Sequence, residues 1–517
     1  MRDRLLLVRW VCVVLLASMP GLLRADVKLP AIFTPHLVLQ RDKPVTVWGG
    51  AAPGEEGTVK FADATEKTTA DEKGKWKVTL PAQAVSATPR ELVISGKNTI
   101  TLTDVLVGEV WVGSGQSNMQ WSVTASLNPQ KEIDAAKYPN IRLFQIPLVP
   151  SGTPAEDVNA KWQACSPETI GNFSAVLYFF GRELQSKLDV PVGLIQTAWG
   201  GTRIQPWIPP VGFEGVEATH KELQTIKSLM DGYAGVKEKY LAQVEEWVPK
   251  AKEAIAAGKD LPPLGPVPGH PLNSNHQPTG LYNGMVHAIV PYTIRGAIWY
   301  QGESNRMEKA YYHECMKALI GGWRKVWNQG DFSFYFVQLA PFNYGPQDPS
   351  ALAELWEAQN KSLSIPNSGM AVITDIGDVK DIHPRNKQEV GRRLALWALA
   401  KDYGKSDLVF SGPTYEGMTV EGDKVHLKFG NAEGLKSRDG QPLTWFLIAG
   451  DDKKFVKANA VIEGNTVVVS AAGVTNPKAV RFGWHQLAEP NLANGAGLPA
   501  SPFRTDDWSD ATLPASP

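Results

Sequence analysis

Along the chain the pattern of apolar and polar positions changes texture twice. Between residues 26 and 104, short apolar or alternating runs at 37–39, 45–48, 57–61, 75–80, 91–94 and 99–102 are cut by Pro, Gly, Asn or Asp. This predicts strands joined by tight turns, a small β-sandwich or jelly-roll-like domain. From residue 105 the runs become continuous and alternate with helical periods. Residues 105–112 read as a strand buried on both faces, followed by strands at 141–146, 191–198, 294–300, 334–339 and 370–374. Between them, 175–188 carries Val176, Leu177, Phe180 and Leu184 on a helical stripe, 311–327 is amphipathic, and 386–403 places Val390, Leu394 and Trp397 on one face. Strands alternating with helices predict an α/β fold, a parallel sheet covered on both sides in three α/β/α layers.

A Lys/Glu/Ala/Leu-rich stretch at 220–257 predicts two helices broken near 231–235. With the Pro-rich 261–270 it forms a helical insertion spanning about 212–275. Beyond residue 406 the texture is β again, with runs at 408–410, 425–429, 445–448, 466–469 and 479–482. The expected division is therefore 1–25, 26–104, 105–405 and 406–517.

Residues 1–25 have the features of a secretory signal peptide: Arg2, Arg4 and Arg9, a short apolar stretch, and a cleavage position after Ala25. Arg9 and Pro20 interrupt it too early for a membrane anchor, and no later segment is long enough to span a bilayer. The mature protein is expected to be exported, secreted or periplasmic, and soluble. A net charge of -1 argues against a nucleic-acid partner. Seventeen tryptophans keep a sugar ligand in view, because indole faces stack on sugar rings. Of three cysteines, Cys12 leaves with the signal, and Cys165 and Cys315 are either one disulfide or two buried thiols. No spacing resembles a metal site.

Four strand ends carry small or polar clusters: Gly115-Gln-Ser-Asn118, Trp199-Gly-Gly-Thr202, Gln301-Gly-Glu-Ser-Asn305 and Asp381-Ile-His383. In a parallel sheet these ends share one edge, where such folds bind ligands. Acyl transfer needs a nucleophile, a base to take its proton, and a carboxylate to orient the base. Ser117, His383 and Asp381 are the catalytic candidates. Asp381 and His383 stand two apart, on one side of an extended segment that Pro384 favours. Asp378 and Asp375 are competing orienters. For the oxyanion, the backbone N–H of Ser117, one at Gly201 and a side-chain amide, Gln301 or else Asn305, are the expected donors. Gln116 and Asn118 beside the nucleophile, with Glu303, are placed in substrate binding, and Glu303 also reads as support beneath the site.

These four blocks in this order, with Trp207 and Asp381-Ile-His-Pro384, resemble the sialate O-acetylesterase family. That family belongs to the SGNH (GDSL-like) hydrolases and is related to carbohydrate acetyl esterases. The resemblance covers roughly residues 29–508. It implies Ser117 as nucleophile, His383 as base, Asp381 as its partner, and an oxyanion hole from Ser117, Gly201 and a third-block amide. The wider superfamily puts the acid three residues before the histidine, where Lys380 stands, and Arg203-Ile-Gln-Pro206 is more basic than the family pattern.

The reading is a serine esterase that removes O-acetyl groups from a carbohydrate, sialic acid or an acetylated polysaccharide, through an acetyl-enzyme. It requires no metal or organic cofactor. A lipid or thioester hydrolase on the same scaffold and a non-catalytic carbohydrate-binding protein are the alternatives. The sequence leaves the sugar, the acetylated position and the oligomeric state open.

Overall fold

The computed structural model describes residues 26–509 and 513. The expected signal segment and Cys12 lie outside the described residues.

The central sheet contains β1 (Thr99–Gly115), β2 (Tyr138–Gln145), β3 (Trp162–Cys165), β4 (Val192–Ala198), β5 (Gly296–Tyr300), β6 (Ser333–Val337) and β7 (Ser368–Ala371). Their order is β7-β6-β5-β1-β4-β2-β3, all parallel except the antiparallel edge strand β3. Helices α1 (Ala175–Leu188) and α5 (Lys387–Lys401) pack together on one face, and α3 (Tyr311–Trp327) and α4 (Ala351–Lys361) cover the other. Trp111 from β1 packs against Phe180 of α1, while Trp299 from β5 meets Trp207 and Phe334 on the opposite side. The expected three-layer α/β/α arrangement is thus present, and the continuous apolar run at 105–112 is buried on both faces, as its composition requires.

The N-terminal region does not end before the sheet begins. β1 is one strand of 17 residues. Its first part pairs antiparallel with Ser86–Ser95, and Val38–Gln40 pairs parallel with Leu106 to Gly108. The division expected at 104/105 therefore falls inside a strand. Asp104, which looked like a breaker, sits at φ +55° without interrupting it. Its carboxylate accepts from Arg142 Nη1 and Nη2 at 2.5 and 3.0 Å, which holds the kink in place.

The helical insertion also differs from expectation. A single helix, α2 (His220–Ala256), runs straight through Gly232, Gly235 and Pro249. The Pro-rich return segment lies along it: Trp247 Nε1 donates to the Pro262 carbonyl at 2.7 Å and Tyr233 to the Pro268 carbonyl at 3.2 Å. These anchors offset the breakers that predicted two helices.

In the C-terminal region an antiparallel sheet (Thr414–Glu421, Lys424–Gly430, Thr466–Ser470, Asn459–Glu463) shares an apolar core with a second sheet built on Phe446–Ala449 and Ala479–Phe482. Arg504 joins this sandwich to α4 through a bidentate pair with Glu357 at 2.8 and 2.9 Å. Cys165 and Cys315 are separate buried thiols, not a disulfide. No helix among the described residues is long and apolar enough to cross a membrane.

Candidate functional site

The site forms where β1 ends. Gly115 has φ +139°, and a Cβ there would lie 2.1 Å from the Tyr300 carbonyl oxygen, so only glycine fits between β1 and β5. The chain then turns into a short helix, Ser117–Gln120, whose first N–H groups have no partner within the helix. Ser117, at its start, is half-buried. Across the edge, the loop between β7 and α5 brings in His383, whose Nε2 lies 2.9 Å from Ser117 Oγ. That is the nucleophile–base distance acyl transfer needs.

Asp381 stands close to the imidazole but does not bond to it. Its Oδ1 is 3.9 Å from His383 Nδ1 and accepts the backbone N–H of His383 at 2.9 Å. The carboxylate is 49% exposed, so its influence on the ring is a screened charge interaction. The competing orienters are engaged elsewhere. Asp375 is bidentate with Arg393 at 2.6 and 2.7 Å, and Asp378 accepts from the Lys380 N–H at 2.8 Å. Burial lowers the His383 pKa from its ordinary value, the charge of Lys387 lowers it further, and Asp381 opposes both. The balance favours a neutral ring, the form that accepts a proton.

On the other side of Ser117, Gly200 and Gly201 follow β4. The Gly200 N–H donates to Gln120 Oε1 at 2.7 Å, and a Cβ on Gly200 would lie 3.2 Å from Ser117 Cβ. Gly201 is exposed, at φ +73°, with open space where a Cβ would be.

The side-chain amides have other work. Gln301 is 0% exposed; its Nε2 faces Gln116 Oε1 at 3.0 Å, the Thr202 carbonyl at 3.1 Å and Asn305 Oδ1 at 2.7 Å, and its Oε1 accepts from Tyr312. Asn305 is equally committed, to Ile204, Gln205 and Glu308. Neither amide is left over for an oxyanion, which corrects the sequence expectation. Both instead lock the second and third blocks together, because buried amides must be paired. Gln116 and Asn118, expected to bind substrate, are likewise buried. Gln116 accepts from Gln301, and Asn118 Nδ2 donates to Glu303 Oε1 at 2.5 Å and to the Ile382 carbonyl at 3.0 Å. Glu303, expected as support beneath the site, accepts from Asn118, and burial raises its pKa.

Two neighbours of the pair were not foreseen. Trp121 stacks on His383, and Lys387 is buried against Asn118. Trp121 closes the first block and could have been read with it. Lys387 offered one signal, a lysine in the first turn of a helix, where the macrodipole disfavours a cation. Among the described residues no group of three or more His, Cys, Asp or Glu side chains is arranged to hold a metal ion.

Comparison with known proteins places the chain in a family. Residues 266–400 match the family described as carbohydrate esterase, sialic acid-specific acetylesterase. The chain is 30% identical to the sialate O-acetylesterase of Mus musculus over 416 residues, 73% of this chain and 74% of the mouse protein. It is 29% identical to the Rattus norvegicus enzyme, over 87% and 88% of the two chains. The crystal structure of a carbohydrate acetylesterase from Xanthomonas citri superposes with a TM-score of 0.79 at 34% identity, covering 93% of this chain and 100% of that one. The chain belongs to the sialate O-acetylesterase family, and as a member of it is a carboxylic ester hydrolase that acts on acetylated sugars.

Proposed function

We propose that this esterase works by a serine mechanism, with Ser117 as nucleophile, His383 as general base and Asp381 as an electrostatic partner of the imidazole. The observation that carries this reading is the 2.9 Å contact between Ser117 Oγ and His383 Nε2. His383 takes the hydroxyl proton as Oγ attacks the acetyl carbonyl carbon. The tetrahedral oxyanion is met by the backbone N–H groups of Ser117 and Gly201, with open space where a Cβ on Gly201 would stand. The imidazolium then gives its proton to the departing sugar oxygen, leaving an acetyl group on Ser117. Water, deprotonated by His383, attacks that ester and releases acetate.

The proton balance closes without any cofactor. The weak hold of Asp381 distinguishes this site from a tightly coupled triad. Here the aspartate bonds to the His383 backbone N–H rather than to the ring, and the imidazole is oriented by stacking on Trp121.

Two further proposals rest on sequence. Residues 1–25 direct export, and the flanking β regions, the first continuous with the central sheet through β1 and the second beginning at about 406, support the α/β unit.

Acetate release from 4-nitrophenyl acetate and from a panel of acetylated sugars tests the mechanism. Folded Ser117→Ala is expected to lose activity by several orders of magnitude. Wild-type turnover by that variant would refute the assignment of Ser117, and the panel ranks sialic acid against plant polysaccharides.

A further inference from the structure

Lys387 opens α5 four residues after His383, and it is 0% exposed. Burying an ammonium group is costly unless charge and hydrogen bonds offset the loss of water. Here its Nζ donates to Asn118 Oδ1 and lies 5.0 Å from the centre of the Tyr300 ring and 5.9 Å from that of Trp121. Asn118 directly follows the nucleophile. With its oxygen taken by a cation, its amide can face only one way, and both N–H groups point to acceptors: Glu303 Oε1 and the Ile382 carbonyl. The Ile382 carbonyl belongs to the peptide that leads into His383. One short chain of bonds therefore runs from Lys387 through the neighbour of Ser117 to the backbone that carries the base.

We propose that Lys387 is a positioning residue for the reaction: by fixing the Asn118 amide it holds the His383 loop at bonding distance from Ser117 Oγ. The proposal rests on the Ser117–His383 reading above. It makes the base and nucleophile parts of one hydrogen-bonded unit anchored at the start of α5, just beyond the His383 loop.

The same placement has an electrostatic side. Lys387 faces Asn118 and Trp121 from the turn after β1, Tyr300 from the end of β5, Glu303 from the loop beyond it, and Asp381 and His383 from its own approach loop. Burial draws its pKa down to about 7, against the pull of Glu303 and Asp381. Below that pH it is a cation close to the imidazole, and it disfavours a second positive charge there. Removing the ammonium must let His383 protonate at higher pH.

The test compares wild type, Lys387→Met, Lys387→Gln, Asn118→Ala and the double variant Lys387→Met/Asn118→Ala, with Ser117→Ala alongside. For folded Lys387→Met we expect kcat to fall on the order of 10²-fold, as for a misplaced catalytic group, with KM little changed. The acid limb of kcat/KM should move to higher pH. The double variant should be no slower than the worse single variant, because both act through one unit. Lys387→Gln, polar but uncharged, supplies the same readouts if the methionine variant does not fold. Wild-type kcat in a folded Lys387 variant would overturn the proposal. So would a loss of kcat with an unmoved acid limb and additive effects, which would leave Lys387 a structural residue only. Activity surviving in Ser117→Ala would instead refute the nucleophile assignment, so the two failures are distinguishable.

Discussion

Trp121 lies face to face with His383, their ring centroids 4.3 Å apart and their planes 17° from parallel. An indole face so placed fixes the plane of the imidazole and attracts it most when it carries a proton. In the proposed mechanism it is thus poised to favour the imidazolium that forms as Ser117 attacks. Trp121→Ala should lower kcat by about tenfold, in keeping with a cation–π contribution of roughly 1–2 kcal/mol. Trp121→Phe should retain most of the rate. Steady-state kinetics on 4-nitrophenyl acetate would check both, and an alanine variant with full kcat would remove Trp121 from the mechanism.

The pH dependence follows from the state of His383. Burial, and then Lys387, hold its pKa below the ordinary 6.5. As the proposed base, His383 works when neutral, so kcat/KM should rise with pH and reach its plateau from an acid limb centred below 6.5. Asp381 pulls the other way, so Asp381→Asn should shift that limb further down. Because the aspartate is half-exposed and makes no ring hydrogen bond, its loss should cost on the order of tenfold in kcat, well short of the ~10⁴-fold loss seen when a buried triad aspartate is amidated. A loss of that larger size would mean that Asp381 closes onto Nδ1 during turnover.

At the opposite end of the sheet, Glu109 of β1 is 0% exposed and bonds to Arg41, Arg295 and Gln40. Burial alone would raise its pKa, but hydrogen bonds and charge from Arg295, with Arg41 and Gln40, hold it below its ordinary range. A carboxyl with a depressed folded pKa stabilises the fold above its unfolded pKa. That contribution is lost as pH falls through the folded value. Glu109→Ala takes the carboxylate partner from the partly buried Arg295 and leaves Arg41 only Asp42 at 3.5 Å, and should cost about 3–5 kcal/mol. Denaturant midpoints at neutral and acid pH would show the deficit at neutral pH and its shrinkage at low pH.

Burial pushes the thiols of Cys165 and Cys315 up to about 12. Neither should react with an aromatic disulfide reagent in the native protein, and both should react in guanidinium. Native-state labelling of either would contradict the packing around α3 or β3.

Gly115→Ala places a Cβ against the Tyr300 carbonyl at a backbone angle that favours glycine. A stability loss of at least ~2 kcal/mol is expected in urea unfolding, together with lost activity, since the turn sets the nucleophile.

Much of this was legible in sequence where local signals were strong. The helices 175–188 and 311–327 have the observed bounds because their apolar stripes and flanking turns are both clear. Ser117 and His383, 266 residues apart, were brought together by the rule that parallel strands end at one edge. Other features depended on partners far along the chain. Asp104 reads as a strand break until Arg142 is there to hold it. Gly232 and Gly235 read as a helix break, yet each costs only about 1 kcal/mol in an exposed helix, which 35 other residues can carry. The short helix α4 went unread behind a polar loop. Gln301 reads as an oxyanion donor because a loop amide next to a glycine gives no sign of burial. Lys387 carries only the weak signal of a lysine in a first helical turn, since the acceptor that makes its burial possible comes from Asn118, far along the chain.

The unbroken strand Thr99–Gly115 has a mechanical consequence. At about 3.3 Å per residue it is a strut on the order of 50 Å long, with its far end in the N-terminal β region and the other end one residue short of the turn that holds Ser117. Neighbours on both sides would have to shear along several hydrogen bonds before it could slip. The N-terminal region is therefore tied to the Ser117 turn by a continuous, hydrogen-bonded strand rather than by a linker. Any polymer gripped there would meet the nucleophile at a fixed distance, as on a ruler.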